Sequence, residues 1–123
     1  MNIHLIEDEA LLRKTLEFKF KKEGYNITTS ANGFEGKESL SKNLPDLVIT
    51  DIMMPLVNGL EIVSHVRNVL QSDVPIIVLS SAGFEKTVLE AFELGADDFI
   101  SKPFSPNELL VRVKKMFFRR KVA

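Results

Sequence analysis

Four short stretches carry side chains that could act on one another. Glu7-Asp8-Glu9 crowds three carboxylates near the start of the chain, Asp51 leads the run Asp-Ile-Met-Met-Pro, Ser80-Ser81 supplies two hydroxyls, and Ser101-Lys102-Pro103-Phe104 supplies an ammonium. Each follows a short apolar run, so each falls where a buried strand would end. Singly they are ordinary, since acidic residues cap helices and Lys-Pro makes a turn. Jointly they are not. Two carboxylates about 4 Å apart repel by roughly 4 kcal/mol at an effective dielectric of about 20, a cost that a fold keeps only if a cation offsets it or the charge is used. Oxygen ligands with no His or Cys nearby suit a hard cation, Mg²⁺ before Ca²⁺ because the carboxylates are few. Asp51, held by a buried strand, is the carboxylate placed to attack a phosphoryl group in line and carry it as an acyl phosphate. Lys102 and Mg²⁺ would neutralise the phosphoryl oxygens in the transition state, and Ser80 would donate a hydrogen bond to one of them.

The elements that must position these groups alternate along the chain. Apolar, β-prone runs occupy residues 3–6, 27–30, 47–50, 76–80 and 99–100. Those at 47–50 and 76–80 are continuously apolar, the pattern of strands buried on both faces. Between the runs the period lengthens to that of helices. Leu12, Leu16 and Phe20 form one stripe, Ile62, Val66, Val69 and Leu70 another, and Leu109, Val113 and Met116 a third, with further helices over 34–40 and 85–94. Gly24 and Gly95 stand where left-handed caps would close helices, and Ser105 with Pro106 where a helix would begin. Strand and helix repeat five times, which predicts an α/β fold: a five-stranded, mostly parallel sheet with helices on both faces. The working crevice of such a sheet lies at the carboxyl ends of its strands, where every strand but the second carries polar chemistry.

Composition narrows the class. The chain has 123 residues, 16 basic against 17 acidic, 45% hydrophobic and 27% charged, the balance of one globular domain with a single core. A net charge of −1 and a pI near 6.1 argue against direct nucleic-acid binding. Zero cysteines exclude disulfides, thiolate metal sites and cysteine catalysis, and suit a reducing cytoplasm. No apolar run approaches the ~18 residues needed to span a bilayer, and no secretory signal is visible.

Taken together, the motifs resemble the receiver domain of two-component response regulators, the CheY-like family, over essentially the whole of residues 1–123. Glu7-Asp8 resembles the family's Mg²⁺-holding acidic pair, Asp51 with Asn58-Gly59 its phosphoacceptor loop, Ser80 its switch hydroxyl and Lys102 its invariant lysine. The resemblance implies a doubly wound (βα)5 flavodoxin-like three-layer sandwich with strand order 2-1-3-4-5. It implies that Asp8, Asp51 and the backbone carbonyl of Met53 ligate Mg²⁺, with Glu7 acting through water, that the Lys102–Pro103 peptide is cis, and that Phe99 is the aromatic that rotates when Asp51 is phosphorylated. It also implies a cognate histidine kinase as partner, a cytoplasmic signalling role, and no enzymatic activity beyond the domain's own Mg²⁺-dependent phosphorylation and dephosphorylation. Residues 95–106 resemble receivers of the winged-helix (OmpR/PhoB-type) transcription-factor subfamily, although the chain stops where a DNA-binding domain would follow. Ser80 replaces the commoner Thr, and Phe99 the commoner Tyr.

By the same resemblance the fourth helix, fifth strand and fifth helix pair two phosphorylated copies. Leu89, Phe92 and Val111 would form an apolar patch, and across a two-fold axis Asp98 would meet Arg112 and Asp97 meet Arg119. Val88 stands where a basic partner for Glu108 is usual, which weakens the expected dimer. Three other readings compete. A flavodoxin-like cofactor binder needs a hydroxyl- and glycine-rich loop where this chain has Glu7-Asp8-Glu9. A haloacid-dehalogenase-type phosphatase needs an Asp where this chain has Met53. A degenerate receiver would lack some of Glu7, Asp8, Asp51, Ser80 and Lys102, and all are present. His4, inside the first strand, and His65, on the third helix, lie apart without partner ligands and read as structural. The basic end Arg119-Arg120-Lys121 suits a helix C-terminus.

Overall fold

A computed structural model describes residues 1–122, with side chains through Arg119; those of Arg120 and Lys121, and with them most of the basic end, lie outside the described residues. The elements run β1 (Asn2–Ile6), α1 (Ala10–Lys22), β2 (Asn26–Ser30), α2 (Gly33–Lys42), β3 (Leu47–Asp51), α3 (Gly59–Ser64) continued by a π-helical turn (His65–Val69), β4 (Ile76–Ser81), α4 (Glu85–Leu94), β5 (Asp98–Lys102) and α5 (Pro106–Val122). The strands form one parallel sheet, as the alternation of elements predicts, in the doubly wound order β2-β1-β3-β4-β5 that the resemblance implies.

The continuous apolar runs have a simple physical origin. Successive side chains of a strand face opposite ways, and here both faces are covered. Ile3, Leu5, Ile49, Ile77 and Leu79 pack with Leu16, Phe20, Leu109 and Val113 on the α1/α5 side. Ile6, Val48 and Val78 pack with Ile62, Val66, Val88 and Ala91 on the other. The two edge strands depart from the pattern: β2 buries Ile27 and Ser30, and β5 buries Ile100 alone. The expected caps form, with Gly24 and Gly95 at φ +93° and +117° and the Glu108 N–H donating to the Ser105 hydroxyl at 3.2 Å.

One stripe is corrected. An unbroken helix would bury Ile62, Val66 and Val69 together, yet Val69 is 67% exposed. The π-helical turn adds a residue per turn and rotates Val69 outward, leaving Leu70 to pack against the core.

Register decides what the fold does for function. Ile6 lies opposite Thr50, Asp51 opposite Leu79, and Ser81 opposite Lys102. The strands therefore end on one line, and the residues at or just beyond those ends meet at a single edge of the sheet.

Candidate functional site

At that edge Glu7, Asp8 and Asp51 come together, with one carboxylate oxygen from each within 4.8 Å of the others. Glu7 follows β1 and is fully buried; its backbone N–H donates to the Ser30 carbonyl, and its own carbonyl accepts from Arg13 Nη1 at 2.8 Å. Asp51 closes β3 and is also buried. Its loop is tied back by two short contacts, Ile52 N–H to the Leu79 carbonyl at 2.9 Å and Gly59 N–H to the Ile52 carbonyl at 2.7 Å. Asn58 caps α3 by accepting from the Glu61 N–H. Asp8, between β1 and α1, is exposed to solvent.

Lys102, at the end of β5, bridges the two buried carboxylates. Its Nζ donates to Glu7 Oε1 at 2.9 Å and Oε2 at 3.3 Å, and to Asp51 Oδ2 at 2.9 Å. One ammonium among three carboxylates leaves the cluster negative, and the titration behaviour follows from that. Burial, then the hydrogen bond and charge of Asp51, push Glu7 up to about 8 against the opposing pull of Lys102. Burial and the charge of Asp51 likewise raise Asp8 above the usual carboxylate range. Burial works against the Lys102 ammonium, but its hydrogen bonds to Asp51 and Glu7 prevail and hold its pKa above the ordinary lysine value. A cluster that raises its own carboxylates in this way has the donor set of a hard-cation site: oxygens, net negative charge, and no nitrogen or sulfur ligand in the group.

The remaining candidates are placed as follows. Met53 lies two residues beyond Asp51 in the loop and is half exposed. Ser80 is buried, and in this conformation its hydroxyl donates to the Ser81 carbonyl at 3.1 Å. Phe99 is 38% exposed and stands edge-on to Phe92, ring centroids 6.0 Å apart. Between them lies a cavity of about 260 Å³ lined by Ser80, Val88, Leu89, Phe92, Phe99 and Ser101. The Lys102–Pro103 peptide is cis. Leu89, Phe92 and Val111 are exposed, and Arg119 is exposed as well.

Within one chain Asp97, Asp98 and Arg112, three of the charges expected to pair between copies, already have partners. Arg112 Nη1 donates to Asp98 Oδ1 at 3.0 Å and to the Phe99 carbonyl at 2.9 Å. Asp97 Oδ2 accepts from Arg67 Nη2 at 2.9 Å while the Asp97 side chain stays 40% exposed. His4 is buried between the hydroxyls of Thr28 and Ser30, at 2.6 and 2.7 Å, and His65 contacts the Ser41 hydroxyl at 2.9 Å, so both are structural as read from the sequence.

Sequence reasoning missed two contributors, Arg13 and Thr50, and the steric reason for a third, Gly59. Arg13 holds the Glu7 carbonyl from α1. The buried Thr50 hydroxyl donates to the Asp51 carbonyl at 3.0 Å. Gly59 lies so close that a Cβ there would come within 2.4 Å of the Asp51 carbonyl oxygen. Gly59 was read with Asn58 as part of the phosphoacceptor loop, while Arg13 and Thr50 carry no such motif.

Comparison with known proteins agrees with this geometry. The family model described as "Response regulator receiver domain" matches residues 3–114. The chain is 40% identical over 115 residues to "Probable transcriptional regulator ycf27" of Guillardia theta, covering 94% of this chain and 44% of that one. It is 38% identical over 117 residues to "Response regulator SaeR" of Staphylococcus aureus, covering 95% and 50%. The chain thus spans about half the length of the curated relatives it matches. The solved structure of the Vibrio cholerae chemotaxis protein CheY4 superposes with a TM-score of 0.86 at 28% identity, covering 94% of this chain and 97% of that one. The strand-end cluster, the strand order and a match running through nearly every element make this chain a member of the response regulator receiver domain family.

Proposed function

We propose that this receiver accepts a phosphoryl group on Asp51 from a histidine kinase and switches conformation to control an output, transcription by likeness to its relatives. The observation that carries this is the bridge of Lys102 between two buried carboxylates, beside a third that is open to solvent. In the transfer, an Asp51 carboxylate oxygen attacks phosphorus, the bond from phosphorus to the donor's imidazole nitrogen breaks, and its electron pair leaves with the imidazole. The product is a mixed anhydride on Asp51, which water later hydrolyses. Lys102 holds one Asp51 oxygen and faces the charge that gathers on the phosphoryl oxygens, while Glu7 keeps the ammonium in place. Asp8, Asp51 and the Met53 carbonyl would hold Mg²⁺, with Glu7 acting through water, and the ion when bound would supply positive charge opposite the phosphoryl oxygens.

The switch follows from the placement of Ser80 and Phe99. Phosphate on Asp51 offers the Ser80 hydroxyl a charged acceptor better than the Ser81 carbonyl, and the cavity beside it gives Phe99 room to turn inward. The α4–β5–α5 face would then pair two copies through Leu89, Phe92, Val111 and the Asp98–Arg112 charges, with micromolar affinity. The chain acts in the cytoplasm, with the kinase rather than nucleic acid as its direct partner; among the described residues no helix is long and apolar enough to cross a membrane.

Incubation with acetyl phosphate and Mg²⁺ should add one phosphoryl mass to the intact protein, and Asp51→Asn should not acquire it. Equal labelling of Asp51→Asn would overturn the assignment.

A further inference from the structure

The helix nearest the switch is held very unequally at its two ends. Arg67, in the π-helical turn after α3, has a side chain only 17% exposed, and all five of its N–H donors are used. Nε and Nη2 donate to the Gly95 carbonyl at 3.0 and 2.8 Å, Nη1 to the carbonyls of Ser72 and Val74 at 2.9 and 2.7 Å, and Nη2 to Asp97 Oδ2 at 2.9 Å. The same Asp97 oxygen accepts from the Ile76 N–H at 2.8 Å, and the Asp97 N–H donates to the Ile76 carbonyl at 2.9 Å. Gly95, the left-handed cap of α4, is required there twice over. Its φ is +117°, and a Cβ would lie 2.9 Å from Arg67 Nε. The C-terminal end of α4 is therefore tied to the π-helical turn, to the loop before β4 and to the first residue of β4.

The other end has no such ties. Phe84, in the cap position, offers no side-chain acceptor to the first turn. Gly83 before it has open space around its Cα, and its N–H reaches Glu85 Oε1 only at 3.4 Å. Beneath this half, Glu85, Val88 and Leu89 roof the cavity of about 260 Å³ that reaches Ser80.

We infer that Arg67 is a positioning residue that makes the C-terminal end of α4 a fixed pivot, so that the helix answers the phosphoryl site by moving its N-terminal half alone over the cavity. This inference rests on the proposed function for what drives the motion, but the pivot itself is present without phosphate.

The test uses backbone hydrogen exchange on the whole chain, with and without beryllofluoride and Mg²⁺, in the parent and in Arg67→Lys, which keeps the charge and loses the planar fork. In the parent, amides at Gly95–Asp97 should exchange at least tenfold more slowly than those at Val88–Glu90, and beryllofluoride should slow the second group only. In Arg67→Lys the first group should speed up at least tenfold, while acetyl phosphate labels Asp51 at the parent rate. The chain has no Trp, so Phe99→Trp places a single fluorophore at the switch. Its loss of acrylamide quenching on loading should shrink at least threefold in the Arg67→Lys background. An unchanged exchange gradient in Arg67→Lys, or a uniform rise over the whole molecule, overturns the pivot. If the parent takes up neither phosphoryl nor beryllofluoride, the phosphoacceptor reading fails, and the metal-free exchange gradient still decides the pivot.

Discussion

Replacing Lys102 by Met probes the electrostatics of the site most directly. Its ammonium stands 2.9 Å from Glu7 Oε1 and 2.9 Å from Asp51 Oδ2, with little solvent around either contact. At an effective dielectric of about 20, a contact between two full charges at this distance carries about 6 kcal/mol of Coulomb attraction. Desolvation of the ammonium offsets much of that. Glu7 limits the rest: pushed up to about 8 even beside Lys102, it is already largely protonated at pH 7.5 and more completely so once its partner is gone. Removing one side of a buried pair typically costs 3–5 kcal/mol, and protonation of Glu7 puts this case at the lower end, about 3 kcal/mol. For a domain of this size the melting temperature should fall by roughly 10 °C, read by calorimetry at pH 7.5 without metal. Millimolar Mg²⁺ should then raise Tm more in Lys102→Met than in the parent, because the only competing cation in the cluster has been removed. A metal-free Tm equal to the parent's, or a smaller Mg²⁺ response, would refute the reasoning.

Three further outcomes follow from particular contacts. Burial holds His4 down from 6.5 to about 4, so the folded chain keeps it neutral while the unfolded chain takes up a proton near 6.5. Stability is whole above that value and lost as pH falls toward 4, by up to about 3 kcal/mol, and His4→Gln should flatten the Tm-against-pH curve in that window; parallel curves would contradict this. Gly59→Ala places a Cβ 2.4 Å from the Asp51 carbonyl oxygen and 2.7 Å from Ile52 Cα, so the phosphoacceptor loop must shift. It should cost about 1–3 kcal/mol in denaturant unfolding and slow acetyl phosphate labelling at least tenfold, and parent-like labelling would show that the loop adapts. Arg112→Glu turns the Asp98 pair into a repulsion, so sedimentation with beryllofluoride and Mg²⁺ should show a monomer where the parent self-associates at micromolar concentration; a dimer in both would place the contact elsewhere.

Most of the fold was legible because two periodicities alternate along the chain and several helix ends carry their own chemical signal, as at Gly95 and Ser105. The π-helical turn was not. An apolar stripe at 62, 66, 69 and 70 reads as one helix, and the added residue that turns Val69 outward comes with Arg67 reaching acceptors in the following loop and in the distant segment at Gly95 and Asp97. The strand at 99–100 read too short for a related reason. Edge strands bury little, so Asp98 and Lys102 carry no apolar signal although both pair with β4.

By itself the sequence determined which groups stand at strand ends, and therefore which chemistry is available: carboxylates at 7, 8 and 51, hydroxyls at 80 and 81, an ammonium at 102. Only the tertiary structure decided who holds whom. Lys102 is 95 positions from Glu7 and 51 from Asp51, yet touches both, because β1 pairs with β3 on one side, β5 lies beyond β4 on the other, and all end on one line. Asp97 and Asp98 are adjacent acids with equal claims on several basic residues. Alternation along β5 gives Asp98 to Arg112 on α5, while the chain entering the strand gives Asp97 to Arg67. Partner choice among like charges depends on ångström differences in distance and direction. Those are set by sheet register and helix packing, which no single stretch of sequence encodes.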